Sequence, residues 1–301
     1  MRRTDKIGRL LAAAACFILL FSISVFADFG PKPGTSIVIE NPPEGVYYLD
    51  LLIEDGDGDW YSNLTEEEMA SCREDMLAVL EALSGRYDGW HTALVVDGTV
   101  VPLFGSLVGT AGKNGNVHTF RYYGVPDTYR IVVVTEDLQV YVSEVLHKTI
   151  FQETVYVRLD SSEGSEGVIT VTKTPSRAVL YLKQFALTLL PTLLVEFLIL
   201  LLFRIPIKRN IAAFLGVNVA TQLLLTVIMT RTLISSGLLS AYFLLAPVEL
   251  VILAIEAAAY VFLLRDVTRP RRIAYAVVAN LVSAALGYWL IGIADSWINV
   301  L

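Results

Sequence analysis

Four long apolar stretches follow Pro175, and they constrain the fold more than any other feature of the sequence. Each is close to the roughly 20 residues that a helix needs to cross the hydrocarbon of a membrane, so we expect four transmembrane helices. The predicted spans are residues 185–203, 211–229, 239–264 and 273–293. With 54% hydrophobic residues, the 301-residue chain is too apolar for an ordinary soluble domain and long enough for two domains.

Basic residues in the loops predict the orientation of these helices. The loop at 204–209 carries three basic residues and the loop at 265–272 carries four, whereas 230–240 carries only Arg231. Basic loops stay on the cytoplasmic side of a membrane. We therefore expect a multi-pass protein of the cell membrane whose two basic loops are cytoplasmic. Its C-terminus and the domain that precedes the helices are then extracellular.

Residues 1–27 are predicted to be a signal peptide. An apolar run at 10–26 ends in the small residues of a cleavage site and follows a basic region. The basic region consists of Arg2, Arg3, Lys6 and Arg9. An uncleaved anchor of the same orientation is the alternative. Both interpretations leave the next segment outside the cell.

Residues 28–177 are predicted to form an extracellular all-β, sandwich-like domain, ahead of a four-helix transmembrane domain at 178–301. Short segments in which apolar and polar residues alternate are typical of half-buried strands, and many such segments suggest a sandwich. The predicted strands are residues 36–40, 46–54, 92–96, 117–123, 129–135, 140–145, 154–159 and 168–172. The domain carries 24 acidic and 10 basic residues, which argues against a nucleic-acid partner.

One amphipathic helix is predicted to interrupt these strands. Thr65 and Glu68 have the spacing of a capping box at its start. Its apolar stripe is predicted to pack on the sheet and consists of Met69, Met76, Leu77, Leu80 and Leu83. Cys72, also on this helix, is the only cysteine beyond the signal segment, so the mature chain has no internal disulfide.

The segment before this helix resembles a calcium-binding loop, with Asp55, Asp57, Asp59 and Glu66 at ligand spacing. Trp60 occupies the position where the sharp turn of such a loop needs glycine. We therefore favour a solvated acidic turn and expect no cofactor, with calcium as the alternative. The chain also lacks the usual hydrolase, P-loop and dinucleotide motifs, which argues against an enzyme.

The helical half contains a pattern that occurs twice: a glutamate, a basic loop and then Asn-x-x-Thr/Ser. Its members are Glu196, Asn218 and Thr221 in the first helical hairpin, and Glu256, Asn280 and Ser283 in the second. Both hairpins run into the membrane from the outside and back again. The pattern therefore predicts a parallel repeat related by an axis along the membrane normal.

The repeated polar residues are predicted to lie near the middle of the membrane. At 1.5 Å per residue, the glutamates and asparagines lie roughly 12–13 Å above the basic loops, in a core about 30 Å thick. Glu249 lies two turns from Glu256 on the same face. A charged carboxyl group at that depth costs about 2.5–3.5 kcal/mol, so these side chains must face the bundle interior, be protonated or be hydrogen-bonded. They form either a site for a cation, proton or small solute, a hydrogen-bonded set that joins the helices, or a contact with a partner.

Residues 46–52 (VYYLDLL) and 120–126 (FRYYGVP), with the helical tail, resemble uncharacterised bacterial surface membrane proteins, chiefly of Gram-positive type. The resemblance implies an envelope location and brings no activity. We expect a non-enzymatic envelope protein whose outer domain binds or senses a ligand and whose helices anchor it in lipid and contact other envelope proteins. The alternatives are a small transporter or ion-conducting protein that uses the Glu/Asn set, and a membrane enzyme.

Overall fold

The structure, a computed structural model, describes residues 31–54, 60–87, 89–96, 98–161 and 166–299. Two predictions fall outside these residues: the signal peptide at 1–27, and the acidic turn at Asp55, Asp57 and Asp59, for which calcium binding was the alternative. Glu66, the fourth residue of that alternative, is the first residue of a short helix.

Within the described part of the chain, the N-terminal region is one mixed sheet of ten strands. They are β1 (Gly34–Ile39), β2 (Tyr47–Glu54), β3 (Trp90–Thr92), β4 (Thr110–Gly112), β5 (Gly115–Arg121), β6 (Thr128–Thr135), β7 (Val140–Ser143), β8 (Leu146–His147), β9 (Gln152–Asp160) and β10 (Glu166–Lys173). Their order is β3-β2-β6-β7-β10-β9-β1-β5-β4, with β8 beside β6. The pairs β1–β9 and β7–β10 are parallel. The predicted sandwich is not confirmed, because a single hydrogen-bonded network joins all of these strands.

This sheet curls around one core. β2 and β5 are six positions apart in the strand order, which in a flat sheet would separate them by roughly 29 Å. Instead, the Tyr47 hydroxyl on β2 lies 3.2 Å from His118 Nε2 on β5. Tyr129 on β6 likewise donates a 2.8 Å hydrogen bond to Glu153 on β9, three strands away. The enclosed core includes Ile37, Leu49, Leu51, Phe120, Val133 and Val157.

The predicted inserted helix is two helices, α1 (Glu66–Ala70) and α2 (Glu74–Arg86). The capping box of Thr65 and Glu68 at the start of α1 is present. The helix stops because the Arg73 backbone is extended and its N–H donates to the Tyr48 hydroxyl at 2.9 Å instead of to a carbonyl one turn back. The apolar stripe of α2 is buried in the core through Met76, Leu77, Leu80 and Leu83.

Three described helices of the C-terminal region are long and apolar enough to cross a membrane: α3 (Arg177–Leu202), α4 (Ile207–Leu263) and α5 (Arg269–Asn299). The predicted second and third spans both lie in α4. That helix is interrupted at Gly237, whose φ of 75° is non-helical. Its two parts contact each other, since Asn218 donates to the Tyr260 hydroxyl at 2.8 Å and Thr221 donates to Glu256 at 2.6 Å.

The loop between β8 and β9 packs against the helices. Ile150 is buried in a cluster with Leu233 of α4 and Ile291 of α5. The ring of Phe151 lies against Gly237, where an added Cβ would come within 2.7 Å of it. This loop therefore brings the ends of β8 and β9 to the point at which α4 is interrupted.

Candidate functional site

The polar residues of the repeated pattern line one cavity among α3, α4 and α5. Glu249, at the same cavity, is partly buried, and the other six side chains are buried. The buried six are Glu196, Asn218, Thr221, Glu256, Asn280 and Ser283. The space open to water-sized spheres measures ≈ 30 Å³, which is room for one or a few water molecules.

Glu256 is held at both carboxylate oxygens. Thr221 Oγ1 donates to Oε1 at 2.6 Å, and Asn280 Nδ2 donates to Oε2 at 2.8 Å. Thr221 lies on the first part of α4 and Asn280 on α5, so this 2%-exposed carboxyl group joins three helical segments.

Glu196 is only half satisfied. Ser283 Oγ donates to its Oε1 at 3.0 Å, while Oε2 has no hydrogen-bond partner among the described residues. The amide of Asn218 donates to the Tyr260 hydroxyl and to the Phe214 carbonyl. A 1%-exposed carboxyl group is thus left with one open oxygen at the cavity.

Other polar side chains extend the cavity toward the β domain. Gln222 Nε2 donates to Thr188 Oγ1 at 2.6 Å. Gln184 Oε1 and Thr226 Oγ1 are buried at the cavity without a partner in the described structure. Three buried polar atoms, counting Glu196 Oε2, therefore face the same small space.

The sequence prediction missed this extension, although a signal for it is present. Gln184, Thr188, Thr192 and Glu196 recur at every fourth position of α3, and Asn218, Gln222, Thr226 and Thr230 do so along α4. Side chains four residues apart share one helix face, so each row places its polar groups on a single side. Two polar rows in otherwise apolar helices predict a polar seam between them.

The cavity contains carboxyl groups without a basic counterpart. No lysine or arginine belongs to the described lining, which holds Glu196, Glu249 and Glu256. Nor does the described part of the chain contain a group of three or more His, Cys, Asp or Glu side chains arranged to hold a metal ion. Any negative charge here must be balanced by a proton or by a cation that enters the cavity.

The other chemically notable residues are dispersed over the β domain. His91 contacts the Gly98 carbonyl at 3.0 Å, and His147 contacts the Thr128 hydroxyl at 3.2 Å. His118 is buried beside Tyr47, and burial lowers its pKa to about 4. Cys72 is a free thiol that donates to the Glu68 carbonyl on α1 at 3.3 Å. The structure thus brings none of these groups to the helical cavity.

No known protein family matches this chain. Comparison with curated proteins and with solved structures likewise returned no match.

Proposed function

We propose that this is a non-enzymatic, multi-pass protein of the cell envelope, in which an outward, sandwich-like β domain is coupled to a proton- or cation-binding centre between four membrane crossings. The observation that carries the proposal is the open oxygen of Glu196 in a cavity with two further unpartnered polar atoms. A buried carboxyl oxygen without a donor is costly, and a bound proton, cation or water relieves that cost.

Four crossings are supported by the contacts between the two parts of α4. A straight helix of 57 residues would be about 85 Å long, nearly three times the thickness of a hydrocarbon core. The interruption at Gly237 and the bonds from Asn218 to Tyr260 and from Thr221 to Glu256 favour two antiparallel crossings instead.

The proposed orientation is supported by what lies at each end of the bundle. Phe151 of the β domain contacts Gly237, at one end of the helices. At the far end, Arg209 and Asp266 form a 2.6 Å ion pair, so the two basic loops are neighbours. With basic loops in the cytoplasm, the β domain lies outside, where we propose that it binds or senses a ligand.

The repeat is supported by the way the glutamates are paired. Glu256 accepts from Asn280 of its own hairpin and from Thr221 of the other hairpin. Glu196 accepts from Ser283, which occupies in the second hairpin the position of Thr221 in the first. Each proposed half thus supplies a hydroxyl group that donates to a glutamate of the other half.

Coupling to the β domain is supported by a shared layer of residues. Met229, Leu245 and Ile291 line the cavity and belong to the same apolar cluster as Ile150 of the β8–β9 loop. A change in the β domain that moves this loop would therefore displace the wall of the cavity.

The test uses the full chain in a detergent without ester groups, studied by infrared difference spectroscopy. A change of pH, or exchange of Na⁺ for choline, is expected to change the carbonyl stretching band of a protonated carboxyl group. Burial raises the pKa of Asp50 in the β domain to about 7, so that carboxyl group also contributes to the pH-induced change. The signal of the centre is therefore the part of the change that Glu196→Gln removes and that Glu44→Gln, at an exposed site on the β domain, retains. Equal spectral changes in wild type and Glu196→Gln under both conditions would contradict the proposal and leave the polar set as a structural junction.

Transport is the second candidate, and it is favoured by the extension of the polar cavity toward the β domain. Proteoliposomes with a pH or Na⁺ gradient are then expected to show a flux that Glu196→Gln abolishes. Binding without flux would assign the centre to sensing or regulation.

A further inference from the structure

The β domain carries an exposed aromatic patch, which consists of Val101, Phe104, Tyr122 and Tyr123 with Lys32 beside them. Phe104 is 61% exposed and Tyr123 is 49% exposed. The ring centroids of Phe104 and Tyr122 are 4.8 Å apart, and those of Tyr122 and Tyr123 are 5.1 Å apart. Lys32 Nζ lies 5.0 Å from the Tyr123 ring centroid and 3.3 Å from its hydroxyl.

Backbone hydrogen bonds place this aromatic patch at the edge of the β domain that contacts the helices. Tyr122 N donates to the Pro33 carbonyl, and Gly34 N donates to the Phe151 carbonyl, both at 3.0 Å. Phe151 is the residue that lies against Gly237 of α4. Two consecutive residues of the chain, Pro33 and Gly34, therefore connect the patch to the contact between domain and bundle.

The backbone conformation at the centre of the patch is unusual. Tyr122 has a φ of 88°, in a region that bulky side chains rarely adopt because of steric strain. The chain thus maintains a strained turn while two neighbouring aromatic side chains, Phe104 and Tyr123, remain exposed. Exposed apolar patches of this kind mark surfaces that contact a partner or a membrane.

We infer that the aromatic patch inserts into the headgroup region of the outer lipid leaflet and holds the β domain against the bilayer. Tyrosine is enriched at membrane interfaces, where its ring is partly buried and its hydroxyl stays hydrated. Lysine there buries its carbon chain and extends its ammonium group to the phosphates. The patch adjoins the Phe151 contact with the helices, which places it beside the bilayer that the helices cross. We therefore favour lipid over a soluble partner. The inference rests on the outward membrane topology proposed above and is independent of ion binding at Glu196.

The test measures the depth of a spin label on the full chain, with one molecule in each lipid nanodisc. Phe104→Cys carries the label in a background in which Cys16 and Cys72 are replaced by serine. Val168→Cys is the control, because Val168 is 49% exposed and pairs with Asp160, at the opposite end of β9 from Gln152. We expect the label at 104 to be relaxed more by O₂ than by a water-soluble nickel chelate, and the label at 168 to show the reverse.

Two results would overturn the inference. A label at 104 that is as accessible to the nickel chelate as the label at 168 means that the patch faces water. A label at 104 that is shielded from both relaxing agents means that protein covers the patch. Neither result depends on Glu196, since Glu196→Gln is expected to leave both labels unchanged.

Discussion

The two regions of the molecule treat a buried carboxyl group differently. In the β domain, Asp50 accepts hydrogen bonds at 2.7–3.2 Å from the backbone N–H groups of Leu51, Leu94 and Val95. Both of its oxygens are used. In the helical region, Glu256 depends on two side chains, and Glu196 has one donor and one open oxygen.

The difference follows from what each kind of backbone has to offer. Inside a helix, each backbone N–H group donates to the carbonyl four residues earlier and is unavailable to a side chain. Loops beside a sheet leave some N–H groups without a backbone acceptor, and Asp50 accepts hydrogen bonds from those of Leu94 and Val95. Carboxyl groups between helices depend on hydroxyl and amide side chains, such as Thr221 and Asn280 at Glu256 and Ser283 at Glu196. A fully satisfied carboxyl group stabilises the fold, whereas an open one at a cavity is available for binding.

The largest expected effect is that of Asp50→Ala. The change leaves the buried N–H group of Leu94 and the part-buried N–H group of Val95 without an acceptor, and we expect a loss of about 3–5 kcal/mol in the stability of the β domain. Near-UV circular dichroism during thermal unfolding in detergent measures this loss. Asp50→Asn keeps one acceptor oxygen and places an amide donor at the other position, so we expect a smaller loss than for Asp50→Ala. Equal stability of wild type and Asp50→Ala would show that these bonds contribute little.

The pH dependence of the β domain tests the same carboxyl group. Burial raises the pKa of Asp50 from 3.8 to about 7, despite the backbone bonds that lower it. The folded state therefore binds a proton between these values that the unfolded state releases, so protonation favours folding. We expect this contribution, on the order of 4 kcal/mol, to be present below pH 4 and to be lost as the pH rises to about 7. Thermal unfolding recorded at several pH values across this range should show a free energy of unfolding that depends less on pH for Asp50→Asn than for wild type.

The contact between the two regions is expected to be sensitive to Gly237→Ala. The added methyl group meets the Phe151 ring at 2.7 Å, and the φ of 75° is strained for alanine. We expect a loss of about 1–3 kcal/mol in thermal unfolding, from strain together with overpacking. Phe151→Ala in the same chain should recover the part that is due to the clash. Gly216→Ala is the control, because no atom lies within 4 Å of the added methyl group.

The sequence predicted the strands better than the sheet. The predicted strand at 129–135 lies within β6 at 128–135, because alternation of apolar and polar residues reports which positions face a core. Alternation does not report which strand lies beside which, so the parallel β1–β9 pair and the single curled sheet were not predicted. β4 and β8, with three and two residues, are too short to show a period.

In the helical region, the predicted depth of the polar residues indicated which of them lie together, and their chemical type did not. Glu196, Asn218 and Glu256 were expected at one depth from the rise of a helix, and all three line the cavity. Which oxygen would remain open could not be predicted, because it depends on the rotamer of Asn218 and on Tyr260. Tyr260 lies four residues after Glu256, whereas the apolar Leu200 lies four residues after Glu196.

The smallest expected effect compares the two glutamates directly. Glu256→Gln replaces an oxygen that accepts from Thr221 or Asn280 with an amide donor, so we expect a loss of about 1–3 kcal/mol in thermal stability. Glu196→Gln can keep its bond to Ser283 and turn its new amide toward the cavity, where no bond is lost. We therefore expect less than about 1 kcal/mol for Glu196→Gln, measured by thermal unfolding of the full chain in detergent at neutral pH. Equal losses for the two variants would mean that Glu196 is as fully bonded as Glu256, and the distinction between a structural and a binding carboxyl group would disappear.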